Sequence, residues 1–590
     1  MRPDTHVRQG ATLRNTTLPA AAGAAAATAA VVAPALIAFN VPPSATFLNQ
    51  VAALIGWSAW LMLLGASLPS RRAVTGADSG ALALIAALLL LAFAALVAPL
   101  WTGLPSTLSL SAVGMIGAAV LTVVIAVGVQ RTGLGVEAFA AFCFALLAAG
   151  LASVVIGLVQ VYAPEFADGN WIAVSTLGDR AVGNLRQPNH LCSLLLWSMI
   201  AAVWLAQTQR LPRALAPAVL LLLLAGVVLS ASRTGMIGAA LLALWGLADR
   251  RLDRSTRVQL WLAPVAYALL YALITFWAHQ HNEVFGGEVQ MQKSDISSSR
   301  FGIWANTLSL IAAHPWAGVG FGEFNFAWSL NVFPGRPVAF FDHTHNLPLQ
   351  LAVELGLPLA ALVLALLLWA LVRAWSLALA GEADDVAMRR AALVMVLMIS
   401  LHSLLEYPLW YAYFLLPAVF AFGLCLGVRV PAAAAPASRV NALVLAALVV
   451  MAGSAASLYD FRRVVVIFAP PDNASPLSQR IAEGRRSWFF GHHADYAAAT
   501  TVEHPSQEME AFERAPHYLL DTRIMIAWAT ALDEAGHTDR ARHIAQRLRE
   551  FRNPLSDDFF AACGKPVAAG ATPPFQCEPP AKRYDYTDFR

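Results

Sequence analysis

Charge is what this sequence has least of. Only 13% of its 590 residues are Asp, Glu, Lys or Arg, while 58% are hydrophobic; soluble globular domains carry about 25% and about 45–50%. Mean hydropathy is +0.60. A string of soluble domains is therefore excluded. The shortage is uneven: residues 459–590 hold 16 Lys/Arg and 18 Asp/Glu, and the preceding 458 residues hold only 23 and 18. The chain reads as an all-α, polytopic helical membrane protein with a soluble tail. The formal net charge is only +3 and no run of Lys/Arg is interleaved with aromatics, which excludes nucleic acid as a partner. With five cysteines, a disulfide scaffold is excluded as well. Cys143, Cys192 and Cys425 lie in apolar stretches and read as small apolar residues. Cys563 and Cys577 lie in the tail and are expected to close a short loop as a disulfide, two free thiols being the alternative.

Apolar stretches long enough to cross a bilayer recur from residue 20 onward. About 13 are read, near 20–39, 47–67, 80–99, 108–129, 136–161, 189–208, 213–230, 235–249, 258–278, 346–372, 391–405, 409–428 and 440–458. The seventh, eighth and eleventh are short. Basic residues in the short gaps set the orientation. With the N-terminus inside, Arg2, Arg8, Arg14, Arg71, Arg72, Arg131, Arg210, Arg213, Arg250, Arg251, Arg254, Arg257, Arg373, Arg389, Arg390, Arg429 and Arg439 all fall inside. Arg180, Arg186, Arg233, Lys293, Arg300 and Arg336 fall outside, as does the tail. The Ala-rich segment 20–30 resembles a processing site, but the apolar stretch around it is long and reads as an uncleaved anchor. Residues 1–19 are thus an inner N-terminus, 20–458 the membrane domain and 459–590 a helical, repeat-like tail. Within the tail, 527–548 has the spacing of a helix pair broken at Gly536, half of a tetratricopeptide-type repeat with no second copy. Two outer loops, 162–188 and 279–345, exceed the length of a turn, and the second is expected to fold over the membrane surface.

The ionisable residues near the outer face come in short segments. They are Arg186 in Gly-Asn-Leu-Arg-Gln-Pro-Asn-His (183–190), Arg233 in Ser-Ala-Ser-Arg-Thr-Gly (230–235), and Arg300 in Ser-Ser-Ser-Arg-Phe-Gly-Ile-Trp (297–304). Asp342, His343 and His345 follow in Phe-Asp-His-Thr-His-Asn (341–346), then Glu406 and Tyr407 in Leu-Glu-Tyr-Pro-Leu-Trp-Tyr (405–411). Charges so close to hydrocarbon are costly and mark candidate function. Arginines that break the positive-inside tendency and share one depth point to an anion, because the guanidinium fork binds phosphate oxygens in pairs and keeps its charge when partly desolvated. A histidine beside them is a natural proton acceptor, its ordinary pKa being about 6.5. His345 stands at the start of the tenth stretch; His343 is open to reading as a metal ligand or a packing residue. No Asp-x-Asp lies in an outer loop, and no His-Glu-x-x-His, zinc-spaced Cys pair or Gly-x-x-x-x-Gly-Lys-Ser/Thr occurs. The adjacent acids Asp384 and Asp385 fall inside. Metal-independent chemistry without a cofactor or nucleotide is expected.

At these segments, together with His-Pro-Trp-Ala-Gly-Val-Gly-Phe-Gly-Glu-Phe (314–324) and Glu354-Leu355-Gly356 after His345-Asn346, the sequence resembles the superfamily of O-antigen ligases, O-antigen polymerases and bacterial protein O-oligosaccharyltransferases. The likeness runs over about residues 30–430 in motif order. Arg-Gln-Pro-Asn-His, Glu-Tyr-Pro-Leu-Trp-Tyr and the soluble tail are most similar to the protein O-oligosaccharyltransferases. One departure is Leu359, where ligases often carry a second glycine. The resemblance implies a multi-pass protein of the bacterial inner membrane, N-terminus cytoplasmic, with a periplasmic loop and tail. It also implies transfer of a preassembled oligosaccharide from undecaprenyl diphosphate to Ser or Thr of periplasmic acceptor proteins. Arg186, Arg233 and Arg300 are then expected at the donor diphosphate and His345, with Arg300, at the reacting groups. Gln187, Asn189, His343, Glu406 and Tyr407 are expected to position them. O-antigen ligase, with lipid A-core as acceptor, and O-antigen polymerase are the alternatives inside the class. A transporter for a lipid-linked glycan is the alternative outside it; that class predicts ionisable residues in mid-span and two matching halves, and neither pattern is present.

Overall fold

The computed structural model describes residues 20–590 apart from 69–77, 179, 293–294, 339, 382, 430–440 and 567–571. The N-terminal segment 1–19 and the basic residues Arg2, Arg8, Arg14, Arg71, Arg72, Lys293 and Arg439 lie outside the described residues. Among the described residues every regular element is a helix. In the membrane part these are α1 (Ala20–Leu36), α2 (Phe47–Ala66), α3 (Ser79–Val97), α4 (Ser106–Arg131), α5 (Gly135–Tyr162), α6 (Pro188–Gln207), α7 (Ala216–Leu229), α8 (Arg233–Ala248), α9 (Arg254–Trp261) and α10 (Ala263–Gln280). After α11 (Gly286–Gln292), α12 (Asp295–Ala313) and α13 (Phe324–Leu330) come α14 (Leu347–Leu379), α15 (Ala383–Ser403), α16 (Ala412–Leu426) and α17 (Ala442–Phe468). The tail contains α18 (Leu477–Gly484), α19 (Gly491–Thr501), α20 (Ala515–Tyr518), α21 (Thr522–Glu534) and α22 (Thr538–Phe551).

Each of the expected apolar stretches is helical, but they are not equal. Eight helices among the described residues, α2 to α6, α14, α15 and α17, are long and apolar enough to cross a membrane; α9 and α10, bent by 48° at their junction, make up to nine. Four, α1, α7, α8 and α16, are shorter apolar helices. The shortness of α7 and α8 has a local cause: Ser230, Ala231 and Ser232 interrupt the run, and Ser232 caps α8 by accepting from Gly235 N.

Helix α6 is buried along almost its whole length, as expected for a helix apolar on every side. It packs against α5, α7, α8 and α15. Two of its buried polar side chains bond to neighbouring helices: Trp197 Nε1 donates to Met395 O (2.9 Å) and Ser198 Oγ to Leu146 O (2.7 Å). By contrast α17 packs on α2 and leaves most of its side chains uncovered before it runs into the tail.

Helix α14 has 33 residues, about 50 Å at 1.5 Å per residue, where a bilayer core needs about 30 Å. It is broken at Gly356, which lies at φ 75° and ψ 163°. The backbone groups freed there are taken up by the segment 315–320: Leu357 N donates to Pro315 O (2.7 Å), Val319 N to Val353 O (2.8 Å) and Gly320 N to Glu354 O (3.0 Å). A Cβ on Gly356 would stand 2.3 Å from Trp316 O, so the approach needs glycine on both counts.

The segment 279–345 folds, and it does so jointly with the tail. Phe324, Phe326, Trp328 and Leu330 of α13 share one apolar core with Trp528 of α21, Ile544 and Phe551 of α22, and Tyr586. Hydrogen bonds cross the seam from Leu520 N to Asn325 Oδ1 (2.8 Å), and between His543 Nε2 and Leu330 O (2.8 Å). Buried Glu323 pairs with His517 at 2.7 Å. In the tail, α21 and α22 meet at Gly536 (φ 82°), and Cys563 is disulfide-bonded to Cys577.

Arg336 is the polar centre of the seam. Its buried guanidinium donates to Trp328 O, Asn331 O and Glu550 Oε2, and lies over the rings of Trp328, Phe333 and Phe551. Arg336→Ala is expected to loosen the loop from the tail at a cost of about 3 kcal/mol, since two carbonyls lose their donor and Glu550 keeps only Arg547. Limited proteolysis of the detergent-solubilised protein checks this, with faster cleavage in 331–345 than in the parent.

Candidate functional site

Five segments meet at one end of the helices. At the start of α6, Gln187 is the N-cap: its side-chain oxygen accepts from the amides of Asn189 and His190, and Pro188 occupies the first turn. Proline is preorganised for that position and a capping acceptor satisfies amides that have no helical partner. The cap aims Asn189 across the helix end, where Nδ2 donates to Glu406 Oε1 (3.1 Å) and Oδ1 accepts from Ser232 Oγ (2.5 Å). Ser232 thus caps α8 and joins it to α6 with one hydroxyl.

Glu406 follows α15 and is nearly buried, its side chain 10% exposed. Besides Asn189, its Oε1 accepts from the Arg300 guanidinium of α12. Its Oε2 lies 3.4 Å from His345 Nε2. Around this centre the rings close in. His343 stacks on Tyr407 (centroids 4.1 Å, 12° between planes) and meets the Trp410 edge, while His345 stands edge-on to Tyr407 and Phe341. Asn346 caps α14 by accepting from Leu349 N, and its Nδ2 reaches Leu404 O (3.1 Å), which ties the start of α14 to the end of α15.

The electrostatics follow from burial. The carboxyl of Glu406 is pushed up to about 7 by loss of water, which Arg300 offsets only in part. His345 is pushed down to about 4, chiefly by burial, with the Arg300 charge adding to it. Its Nδ1 lies 3.0 Å from His343 O, and a carbonyl can only accept, so Nδ1 carries the proton. The remaining nitrogen, Nε2, presents a lone pair to the centre of the site. Asp342 sits below the usual carboxylate value, burial working upward but outweighed by His343, 3.1 Å away.

Three residues here hold the left-handed backbone region that side chains rarely adopt: Arg186 (φ 58°), Ala231 (φ 49°) and His345 (φ 56°). Such strain persists where surroundings impose it, and it gathers at functional sites. The arginines are unequally placed. Arg300 is in the centre. Arg233 begins α8 and donates across to Gln290 O of α11 (3.2 Å). Arg186 turns toward the end of α1, donating to Ala38 O (2.5 Å) while its Nε is buried without a partner. Beside Arg233 a cavity of about 260 Å³ is lined by Ser232, Met236, Tyr267, Tyr271 and Gln290. Among the described residues no three His, Cys, Asp or Glu side chains gather as a metal-binding group.

Sequence reasoning marked the arginines, His345, Glu406 and Asn189 but missed Ser232. Its signal was present as a capping serine ahead of an apolar run. Arg180 was also missed; it donates to Ser230 O, Ala231 O and Gln290 Oε1 and so braces the turn before Arg233.

A histidine at its ordinary pKa takes a proton near pH 6.5, and His345 is expected to stay neutral until pH falls to about 4. Nitrogen-15 NMR of histidine-labelled protein, assigned by loss of the signal in His345→Gln, checks this. A neutral Nδ1–H imidazole at pH 5.5 is expected.

Comparison with known proteins adds to this geometry. A family described as protein glycosylation ligase matches residues 181–206, the segment of Arg186, Gln187 and Asn189. A family described as O-antigen ligase matches 218–364, which contains Arg233, Arg300 and His345. One described as virulence factor membrane-bound polymerase, C-terminal, matches 390–555, from α15 into the tail. A general O-oligosaccharyltransferase of Acinetobacter baylyi is 29% identical over 255 residues, 42% of this chain and 43% of that protein. A ComP-specific O-oligosaccharyltransferase of the same organism is 24% identical over 266 residues, 44% of this chain and 46% of that protein. The chain thus spans less than half the length of the curated relatives it matches. With the motif order and the helical architecture, these matches support the resemblance to an O-oligosaccharyltransferase of the O-antigen ligase superfamily.

Proposed function

We propose that this protein transfers a preassembled oligosaccharide from undecaprenyl diphosphate to Ser or Thr hydroxyls of periplasmic proteins, from a site on the periplasmic face of the bacterial inner membrane. The observation that carries the reading is the placement of the His345 ring, its Nδ1 on His343 O and its Nε2 3.4 Å from Glu406 Oε2, in a centre that also holds the Arg300 guanidinium. A proton acceptor and a phosphate-binding cation then stand within one carboxyl group of each other.

The chemistry is an inverting displacement at the anomeric carbon. The acceptor hydroxyl gives its proton to His345 Nε2 as its oxygen bonds to carbon, and the bond from that carbon to the diphosphate breaks on the opposite face. The leaving diphosphate carries the electron pair away, and its developing charge falls to Arg300 and Arg233. In this reading arginines, rather than a bound cation, stabilise the leaving group. The imidazolium shares its proton with Glu406, which burial keeps near its own midpoint at neutral pH. Gln187 and Asn189 fix the start of α6 and hold Glu406; Tyr407 and His343 wall the site. An apolar surface between helices takes the polyprenyl chain, and the tail, which shares a core with the loop before His345, is placed to present acceptor proteins.

The O-antigen ligase match over 218–364 supports a second reading, in which the acceptor is lipid A-core. The donor half is common to both. A host lacking its own transferase, supplied with one lipid-linked glycan and a periplasmic acceptor protein, separates them. Glycosylated protein is expected with the parent, and a loss of about 100-fold or more with His345→Ala and with Arg300→Ala at unchanged membrane levels. Glycan on lipopolysaccharide with bare acceptor protein would give the ligase reading; full activity of both variants would remove the site.

A further inference from the structure

His345 holds an unfavourable backbone conformation at φ 56°, so something must keep it there. The residue before it is wholly buried and bonded on every side. Thr344 N donates to Gln350 Oε1 (2.7 Å), Thr344 Oγ1 to Asn346 O (2.9 Å), and Trp304 Nε1 to Thr344 O (3.0 Å). Gln350 in turn donates from Nε2 to Glu354 Oε1 (2.9 Å), one helical turn further along α14. Gln350 and Glu354 are both buried. The far end of this line is the helix break. The Glu354 carboxyl faces the amides of Gly322 and Phe324, and its carbonyl accepts from Gly320 N. Gly318 and Gly356 let the two backbones approach this closely: a Cβ on Gly318 would lie 2.5 Å from Val353 O, and one on Gly356 2.3 Å from Trp316 O.

Glu354 is therefore a buried acid beside the site whose carboxyl accepts from Gln350 and whose carbonyl accepts from Gly320 N, and the reaction proposed above makes no use of it. We infer that Gln350 and Glu354 are positioning residues: a buried hydrogen-bonded strut from the 318–324 loop to Thr344 that holds the His345 ring in its strained, reactive orientation. The inference rests on His345 being the base. A buried carboxyl with satisfied hydrogen bonds is rigid, because each group would lose its partner if it moved. Rigidity at Thr344 is rigidity of the ring beside it. The same loop is anchored outward by Glu323 to His517 and Asn325 to Leu520, so the strut has a fixed footing in the tail.

The test compares Gln350→Leu, Gln350→Glu and His345→Ala in the full chain, purified in detergent and assayed with a lipid-linked glycan and an acceptor protein. Gln350→Leu removes both bonds, and kcat is expected to fall about 10- to 100-fold because a misplaced base is a poor one, while donor KM moves by no more than about twofold. Gln350→Glu keeps an acceptor for Thr344 N and is expected to recover most of the lost kcat. The inference is overturned if Gln350→Leu keeps its kcat, if kcat and donor KM worsen together, or if neither Gln350 variant accumulates as folded protein, which would make the residue a plain core element. His345→Ala separates the two levels. An inactive His345→Ala beside a normal Gln350→Leu removes the strut alone, and an active His345→Ala removes the site on which the strut depends.

Discussion

Glu406 is a carboxyl group withdrawn from water, and its charge has to be answered by neighbours that come from distant parts of the chain. Leaving a buried carboxylate unpaired costs several kcal/mol, which makes the arrival of Arg300 from α12 and Asn189 from α6 a condition of the fold at this end. The rest follows in order. Asn189 can reach only if α6 starts where Gln187 caps it; Ser232 then bonds Asn189 and sets where α8 starts. His345 comes to the other carboxyl oxygen because Asn346 pins the start of α14 to the end of α15. One acid thus gathers a cation, a base and two helix starts.

The same end of the molecule is where the backbone departs from regular helix. Helix α14 breaks at Gly356 and its freed carbonyls are met by the 315–320 segment, so the polar groups of the break are satisfied inside the protein. That segment belongs to a loop that shares its core with the tail. The tail is in this sense part of the scaffold of the site, since the aromatic residues of α13 pack against Trp528, Phe551 and Tyr586 of the tail.

Much of this was legible in the residues. Apolar runs marked the helices because a bilayer demands length and low charge, and the order of Arg186, Arg233, Arg300, His345 and Glu406 marked the ends that meet. By length and composition eight or nine of these helices among the described residues are long enough to cross, while α1, α7, α8 and α16 are apolar but short, and a hydropathy pattern does not reveal where serines cap a helix early. Three things were not legible. That Arg186 turns to Ala38 depends on the left-handed turn at Arg186 itself, a tertiary outcome at a residue type that gives no sign of it. The union of loop and tail joins segments some 200 residues apart, and neither α13 nor α22 shows by its own pattern which partner it buries against. The neutral state of His345 comes from desolvation by its surroundings, which no local sequence encodes.

The most direct measurement is a structure of the protein with a non-transferable undecaprenyl diphosphate glycan bound. The account predicts diphosphate oxygens on the Arg300 and Arg233 guanidinium groups, and the anomeric carbon presenting to His345 Nε2 the face opposite the leaving group. A diphosphate seated elsewhere, with Arg300 still held by Glu406 and His345 far from the sugar, would contradict it.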